Sequence, residues 1–216
     1  MTREIVRARI EEIGIIPAVR VASAEEAVFA AQAMLRSGIG VVEITMTTPG
    51  AFEVIAELAR TSPELIVGAG TVLDLDTARR CLDAGAAFLT SPGLDPEILE
   101  FAAKQNILVI PGALTPTEVA SAGRAGALLI KIFPCAQMGG PSYIKALKAP
   151  FPHMALIASG GVNQQTASDF IRAGAIALGI GENLIPPEAV RKRNEKWIRE
   201  LSTRFLGIIK EARALL

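Results

Sequence analysis

Ala127-Leu128-Leu129-Ile130-Lys131-Ile132-Phe133-Pro134 is a short apolar run that holds one lysine and closes on proline. A run of this kind reads as a strand buried on both faces, as in a parallel sheet covered by helices. Lysine is almost never fully buried without a partner or a purpose. An apolar setting disfavours the ammonium form, and the neutral amine is a nucleophile. The alternative is structural, a strand-end lysine paired with a carboxylate.

Outward from this stretch the same unit recurs: an apolar strand, a polar or Gly/Pro turn, then an amphipathic helix ending on a small residue. The other strands read as 15–20, 41–46, 65–69, 87–90, 107–110, 155–158 and 176–179, with the opening stretch supplying 127–132. Helices read as 50–61, 75–84, 95–105, 116–125, 142–148 and 164–173, and Ser23 caps another that ends near Ser37-Gly38. Gly85, Gly126 and Gly174 fall where a helix C-cap favours glycine. Eight strands in strict alternation, about 20–25 residues apart, predict an α/β fold: one (β/α)₈ TIM barrel. An open doubly wound sheet is the alternative, since periodicity does not show closure. An amphipathic helix over 2–13 precedes the barrel, and a long charged helix over 188–214 follows it. No linker or composition shift divides the chain, so residues 1–216 read as one domain. On the last helix, Trp197 reads as packing and Arg191-Lys192-Arg193 as a solvated face.

Composition narrows the partners. The 216 residues carry 22 basic and 22 acidic side chains, which removes the electrostatic case for nucleic acid or an anionic membrane. No apolar run reaches the ~18 residues of a membrane helix, and residues 1–7 lack the apolar core of a signal peptide. Cys81 and Cys135 are too few for a disulfide framework, so a reduced, cytoplasmic protein is expected. The single histidine, His153, sits in a Pro-rich turn and reads as an exposed loop residue. One His and two Cys argue against zinc. An all-carboxylate Mg²⁺ or Mn²⁺ site stays open.

In a barrel the chemistry sits at the carboxyl ends of the strands, and alternation with period two sorts the side chains. Glu43, Thr45 and Thr47 share one face of the second strand; Leu129, Lys131 and Phe133 share one of the sixth. Ile16, Ala18 and Arg20 do so in the first, and Val67, Ala69 and Thr71 in the third. With each polar set facing inward, Arg20, Glu43, Thr71 and Lys131 converge on one mouth. A buried Glu43–Lys131 salt bridge is the structural alternative, but such pairs are weak evidence for stability. A neutral lysine amine attacks a ketone to form an imine. The imine draws electrons from the neighbouring carbon–carbon bond while a carboxylate moves the protons, which is metal-free aldol chemistry. Ser159-Gly160-Gly161-Val162 after the seventh strand and Gly179-Ile180-Gly181 after the eighth fit a backbone phosphate site. Tight turns would need the same glycines.

Val42-Glu43-Ile44-Thr45, Gly68-Ala69-Gly70-Thr71-Val72, Ser91-Pro92-Gly93, Ile110-Pro111-Gly112, Lys131-Ile132-Phe133-Pro134 and Ser159-Gly160-Gly161-Val162 resemble, in order, the motifs of the 2-keto-3-deoxy-6-phosphogluconate and 4-hydroxy-2-oxoglutarate aldolases. The resemblance runs from about Gly14 to about Pro186. It implies a class I aldolase that releases pyruvate plus glyceraldehyde 3-phosphate or glyoxylate, works without cofactor or metal, and assembles as a homotrimer. By position it implies that Lys131 forms the Schiff base and Glu43 transfers protons. Thr71 would hold the pyruvate carboxylate, and Arg20 matches a family arginine. Pro92 and Phe133 would line the pocket, Ser159 would meet the aldehyde part, and Gly160, Gly161 and Gly181 would hold phosphate. Thr47 stands where some members carry a carboxylate-binding arginine and others threonine or asparagine. Glu182 stands where the family typically has serine. Like charges ~4 Å apart oppose each other by ~4 kcal/mol at an effective dielectric near 20. Glu182 turned inward would therefore oppose a phosphorylated substrate, whereas turned outward it would leave the amides available. An aldolase for an unphosphorylated or galacto-configured keto acid is the alternative, with a catalytically silent barrel behind it.

Overall fold

The computed structural model describes residues 1–216. Its strands are β1 (Ile15–Val19), β2 (Val41–Thr45), β3 (Ile66–Gly70), β4 (Phe88–Thr90), β5 (Leu108–Ile110), β6 (Gly112–Ala113), β7 (Ile130–Ile132), β8 (Leu156–Ser159) and β9 (Ala175–Ile180). Around them lie α1 (Arg3–Ile13), α2 (Ala24–Arg36), α3 (Ala51–Thr61), α4 (Leu75–Asp83) and α5 (Pro96–Lys104). The second half adds α6 (Pro116–Arg124), α7 (Pro141–Lys148), α8 (Ala167–Arg172), α9 (Pro187–Arg191) and α10 (Glu195–Arg213).

All strand pairs are parallel, in the order β5-β4-β3-β2-β1-β9-β8-β7-β6. The first and last strands pair, Ile15 with Leu178 through Pro17 with Ile180, which an open doubly wound sheet would not do. Nine strands replace the eight expected because Pro111 interrupts one of them. Proline has no N–H to donate, yet the Pro111 carbonyl accepts from Lys131 N at 2.9 Å. Residues 108–113 thus pair with β4 through their first half and with β7 through their second, bringing the two ends of the sheet order together.

Several helix starts follow side-chain chemistry. Ser23 accepts from Glu26 N, Asp74 from Thr77 N, and Thr115 with Glu118 forms a capping box. One hydrophobic cluster extends from Val6 to Ala212 and reaches the interior face of every layer. Arg213 closes the amino-terminal end of the barrel, donating to the carbonyls of Glu11, Glu12 and Ile176 at 2.6–2.8 Å.

Four readings change. The sixth strand is shorter than 127–132, because Ala127 and Leu128 lead into it half-buried and only Ile130–Ile132 pairs. The tail is two helices, not one over 188–214: Arg193 adopts φ +50°, and Asn194 caps α10 by accepting from Trp197 N. Arg193 is not merely solvated, since it donates to Glu25 O and lies 5.0 Å over the Phe29 ring. In β3 the inward face is the glycine face. Gly68 pairs with Glu43 and Phe88, and a side chain on it would overlap the Phe88 ring. Val67 and Ala69 therefore face the helices, opposite to expectation.

Candidate active site

Glu43 projects into the barrel from β2 and is only 4% exposed. Its Oε2 accepts from the Thr90 hydroxyl at 2.7 Å. Its Oε1 occupies the space that a Cβ on residue 70 would need, so a glycine there gives the carboxylate its room. Thr71 follows with φ +60°, a left-handed conformation that a β-branched residue rarely adopts. Strand parity alone would turn Thr71 outward beside Ala69; the left-handed turn carries it to the cavity instead.

Lys131 stands on β7 between Gly112 and Ile157. It is half-buried rather than sealed in the sheet, and its Nζ lies 5.3 Å from the centre of the Phe133 ring. No ion pair joins it to Glu43. The ion pairs of this molecule all lie on or between the outer helices. The paired-lysine alternative is therefore not what the fold builds.

Across the mouth, β8 ends on Ser159, and Gly179 of β9 leaves room for its hydroxyl: a Cβ at 179 would lie 2.6 Å from Ser159 Oγ. Gly160 and Gly161 both have positive φ, +87° and +80°. Asn183 Nδ2 donates to Val162 O at 2.8 Å and ties the two glycine loops together. Glu182 and Arg20 are exposed at the rim.

These groups share one cavity of about 540 Å³ at the carboxyl ends of the strands. Arg20, Glu43, Thr47, Thr71, Pro92, Lys131, Phe133, Ser159, Gly160, Gly161, Gly181 and Glu182 all line it. Its charged lining is two cations, Arg20 and Lys131, and two carboxylates, Glu43 and Glu182. Thr45 does not reach it; its hydroxyl is buried against Val19 O and the Thr47 hydroxyl. No group of three or more His, Cys, Asp or Glu side chains comes together anywhere in the fold. Cys81 and Cys135 are buried and unpaired, and burial pushes both thiols up to about 12.

Sequence reasoning missed Thr90 and Asn183, and the room that Gly70 and Gly179 leave for Glu43 and Ser159. Thr90 had a signal, being the one polar residue of its strand and two positions from the inward Phe88. The two glycines had none beyond their type, because what they accommodate comes from a neighbouring strand.

The family model for KDPG and KHG aldolase matches residues 6–201, nearly the whole chain. This chain belongs to the KDPG and KHG aldolase family. Among its relatives is the 2-dehydro-3-deoxy-phosphogluconate aldolase of Pseudomonas aeruginosa, 32% identical over 199 residues, covering 90% of each chain. The KHG/KDPG aldolase of Escherichia coli K12 is 31% identical over 87% of this chain and 88% of its own. The KDPG aldolase of Legionella pneumophila, solved with pyruvate captured as a covalent carbinolamine, superposes with a TM-score of 0.85 at 31% identity. That match covers 90% of this chain and 95% of the other. Like these family members, the protein is an aldolase, a carbon–carbon lyase on a TIM-like barrel. No helix is long and apolar enough to cross a membrane.

Proposed function

We propose that this aldolase is of class I and cleaves a 2-keto-4-hydroxy acid, reversibly, to pyruvate and an aldehyde through an imine on Lys131. The observation that carries the reading is a lysine amine and a buried carboxylate lining one cavity without being spent on each other. The Lys131 amine adds to the C2 ketone, and loss of water gives the imine. Glu43 takes the proton of the C4 hydroxyl as the C3–C4 bond breaks, and the bonding electrons move into the imine to form an enamine. The aldehyde departs, the proton passes from Glu43 to C3, and water releases pyruvate. The imine is the electron sink, so the sequence needs no metal. Thr71 and Thr47 supply hydroxyls for the pyruvate carboxylate, beside Pro92 and Phe133.

Ser159, the glycine amides and Arg20 face the aldehyde portion. With 2-keto-3-deoxy-6-phosphogluconate that portion leaves as glyceraldehyde 3-phosphate, the Entner–Doudoroff reaction; with 4-hydroxy-2-oxoglutarate it leaves as glyoxylate. Glu182 on the same lining favours a second reading, an unphosphorylated keto acid. A homotrimer in the cytoplasm completes the proposal: the family resemblance supports the first, and two unpaired buried thiols fit the second. Light scattering checks the assembly.

Borohydride reduction with pyruvate, then peptide mapping, tests the mechanism. The expected result is one adduct on Lys131, and no adduct there sinks it. Chelator should leave turnover intact; loss restored by Mg²⁺ or Mn²⁺ would replace the imine with a metal-dependent mechanism.

A further inference from the structure

Glu43 is almost sealed from solvent, and one side chain hydrogen-bonds it, Thr90, itself 1% exposed. The Thr90 O–H donates to Oε2 of the ionised carboxylate. When Oε1 takes a proton, Oε2 becomes the carbonyl oxygen of the acid and goes on accepting the same bond. A buried polar group left without its partner is costly in either state. The cavity side of the carboxylate is Oε1, against Gly70, and the Thr90 bond occupies the other oxygen.

We propose that Thr90 is a positioning residue for proton transfer, orienting the Glu43 carboxyl and satisfying it both before and after it takes a proton. Thr90 touches no reacting atom and acts through Glu43 alone. The backbone gives the pair a fixed frame. Glu43 pairs with Gly68, Gly68 pairs with Phe88, and Thr90 ends the strand that Phe88 begins, so register sets the spacing between the two groups. The Thr90 carbonyl also accepts from Val72 N at 3.1 Å, locking the strand end to the segment that carries Thr71. This inference rests on the imine reading for what the proton is used for, not for where the carboxyl is held.

Three substitutions test it. Thr90→Val keeps the shape and removes the hydroxyl; Thr90→Ser keeps the hydroxyl and removes the methyl. Thr90→Ala repeats the hydroxyl deletion with less bulk, should the valine variant fail to fold. Removing a donor to a carboxylate disfavours its charged form, so the acid limb of the pH profile of kcat/KM should move to higher pH in Thr90→Val and Thr90→Ala. Their kcat/KM should fall about 10- to 100-fold, while Thr90→Ser stays within about threefold with its limb unmoved. Carbon-13 NMR of the Glu43 carboxyl, assigned by its loss in Glu43→Gln, gives the same comparison without turnover. Its titration midpoint should rise in the hydroxyl-deleted variants and stay in Thr90→Ser. A midpoint shared by wild type and both deletions overturns the proposal, as does equal damage in Thr90→Ser and Thr90→Val with no displaced limb. A wild type that traps no pyruvate on Lys131 would instead defeat the imine mechanism, and the NMR comparison would still decide the role of Thr90.

Discussion

The two sides of the cavity are built differently. On one side Glu43, Thr90 and Lys131 stand on paired strands, and their spacing follows from register and from glycines that clear room for larger neighbours. On the other, Glu182 and Asn183 lie exposed on a turn after the last strand, closed by Leu184 N and Ile185 N on Gly181 O and tied to the neighbouring loop by the Asn183 bond to Val162 O. In the proposed reaction the strand side carries the step common to every 2-keto-4-hydroxy acid, and the loop side would meet the part that differs between substrates. Groups on strands tolerate little displacement, whereas loops vary without disturbing the core. Chemistry and selectivity are thereby separable within one cavity.

The sharpest way to break that division is at the nucleophile. Lys131→Met should lower kcat by about four orders of magnitude or more and abolish borohydride trapping, with the melting temperature preserved. Retained turnover would move the chemistry elsewhere. Glu43→Gln keeps the shape and the contact to Thr90 but takes no proton, so single-turnover rates should fall about 10²- to 10⁴-fold. A smaller effect belongs to the loop. Glu182→Ser should shift the kcat/KM ratio toward a phosphorylated over an unphosphorylated 2-keto-3-deoxy acid by about tenfold, as expected for removing one partly screened like charge. A ratio that does not move would take Glu182 out of selectivity altogether. The smallest effect is expected at the thiols. Burial raises both to about 12, so the nucleophilic thiolate is scarce at neutral pH and gains only as pH approaches that value. Iodoacetamide at pH 7.5 should leave activity unchanged; rapid alkylation of Cys135 would mean that the turn after β7 opens.

The division also explains what the sequence disclosed. Alternation of apolar runs with capped helices carried the number and order of the barrel's units but not its closure, which the pairing of first and last strands supplies; an isolated charge in such a run was enough to single out Lys131 and Glu43. Parity failed where the backbone left the strand. Val67 and Ala69 looked like inward partners of Thr71, but Thr71 reaches the cavity by turning left-handed, and the true inward face carried no side chain to notice. The break at Arg193 was hidden for a related reason, since a charged residue at φ +50° leaves no mark in hydrophobic periodicity. Thr90 was written plainly but alone, and its meaning came from a residue 47 positions away.

Positions 43 and 70 occupy a single shared volume, because the Glu43 carboxylate lies where a methyl group on residue 70 would go. Their substitutions cannot be independent. With glycine at 70, position 43 is free to change and to change back. Once a shorter residue at 43 has let alanine settle at 70, the return to glutamate is blocked. That epistasis acts as a ratchet: a lineage that exchanged its acid–base group and then filled the gap would have to lose the methyl before it could recover the old chemistry.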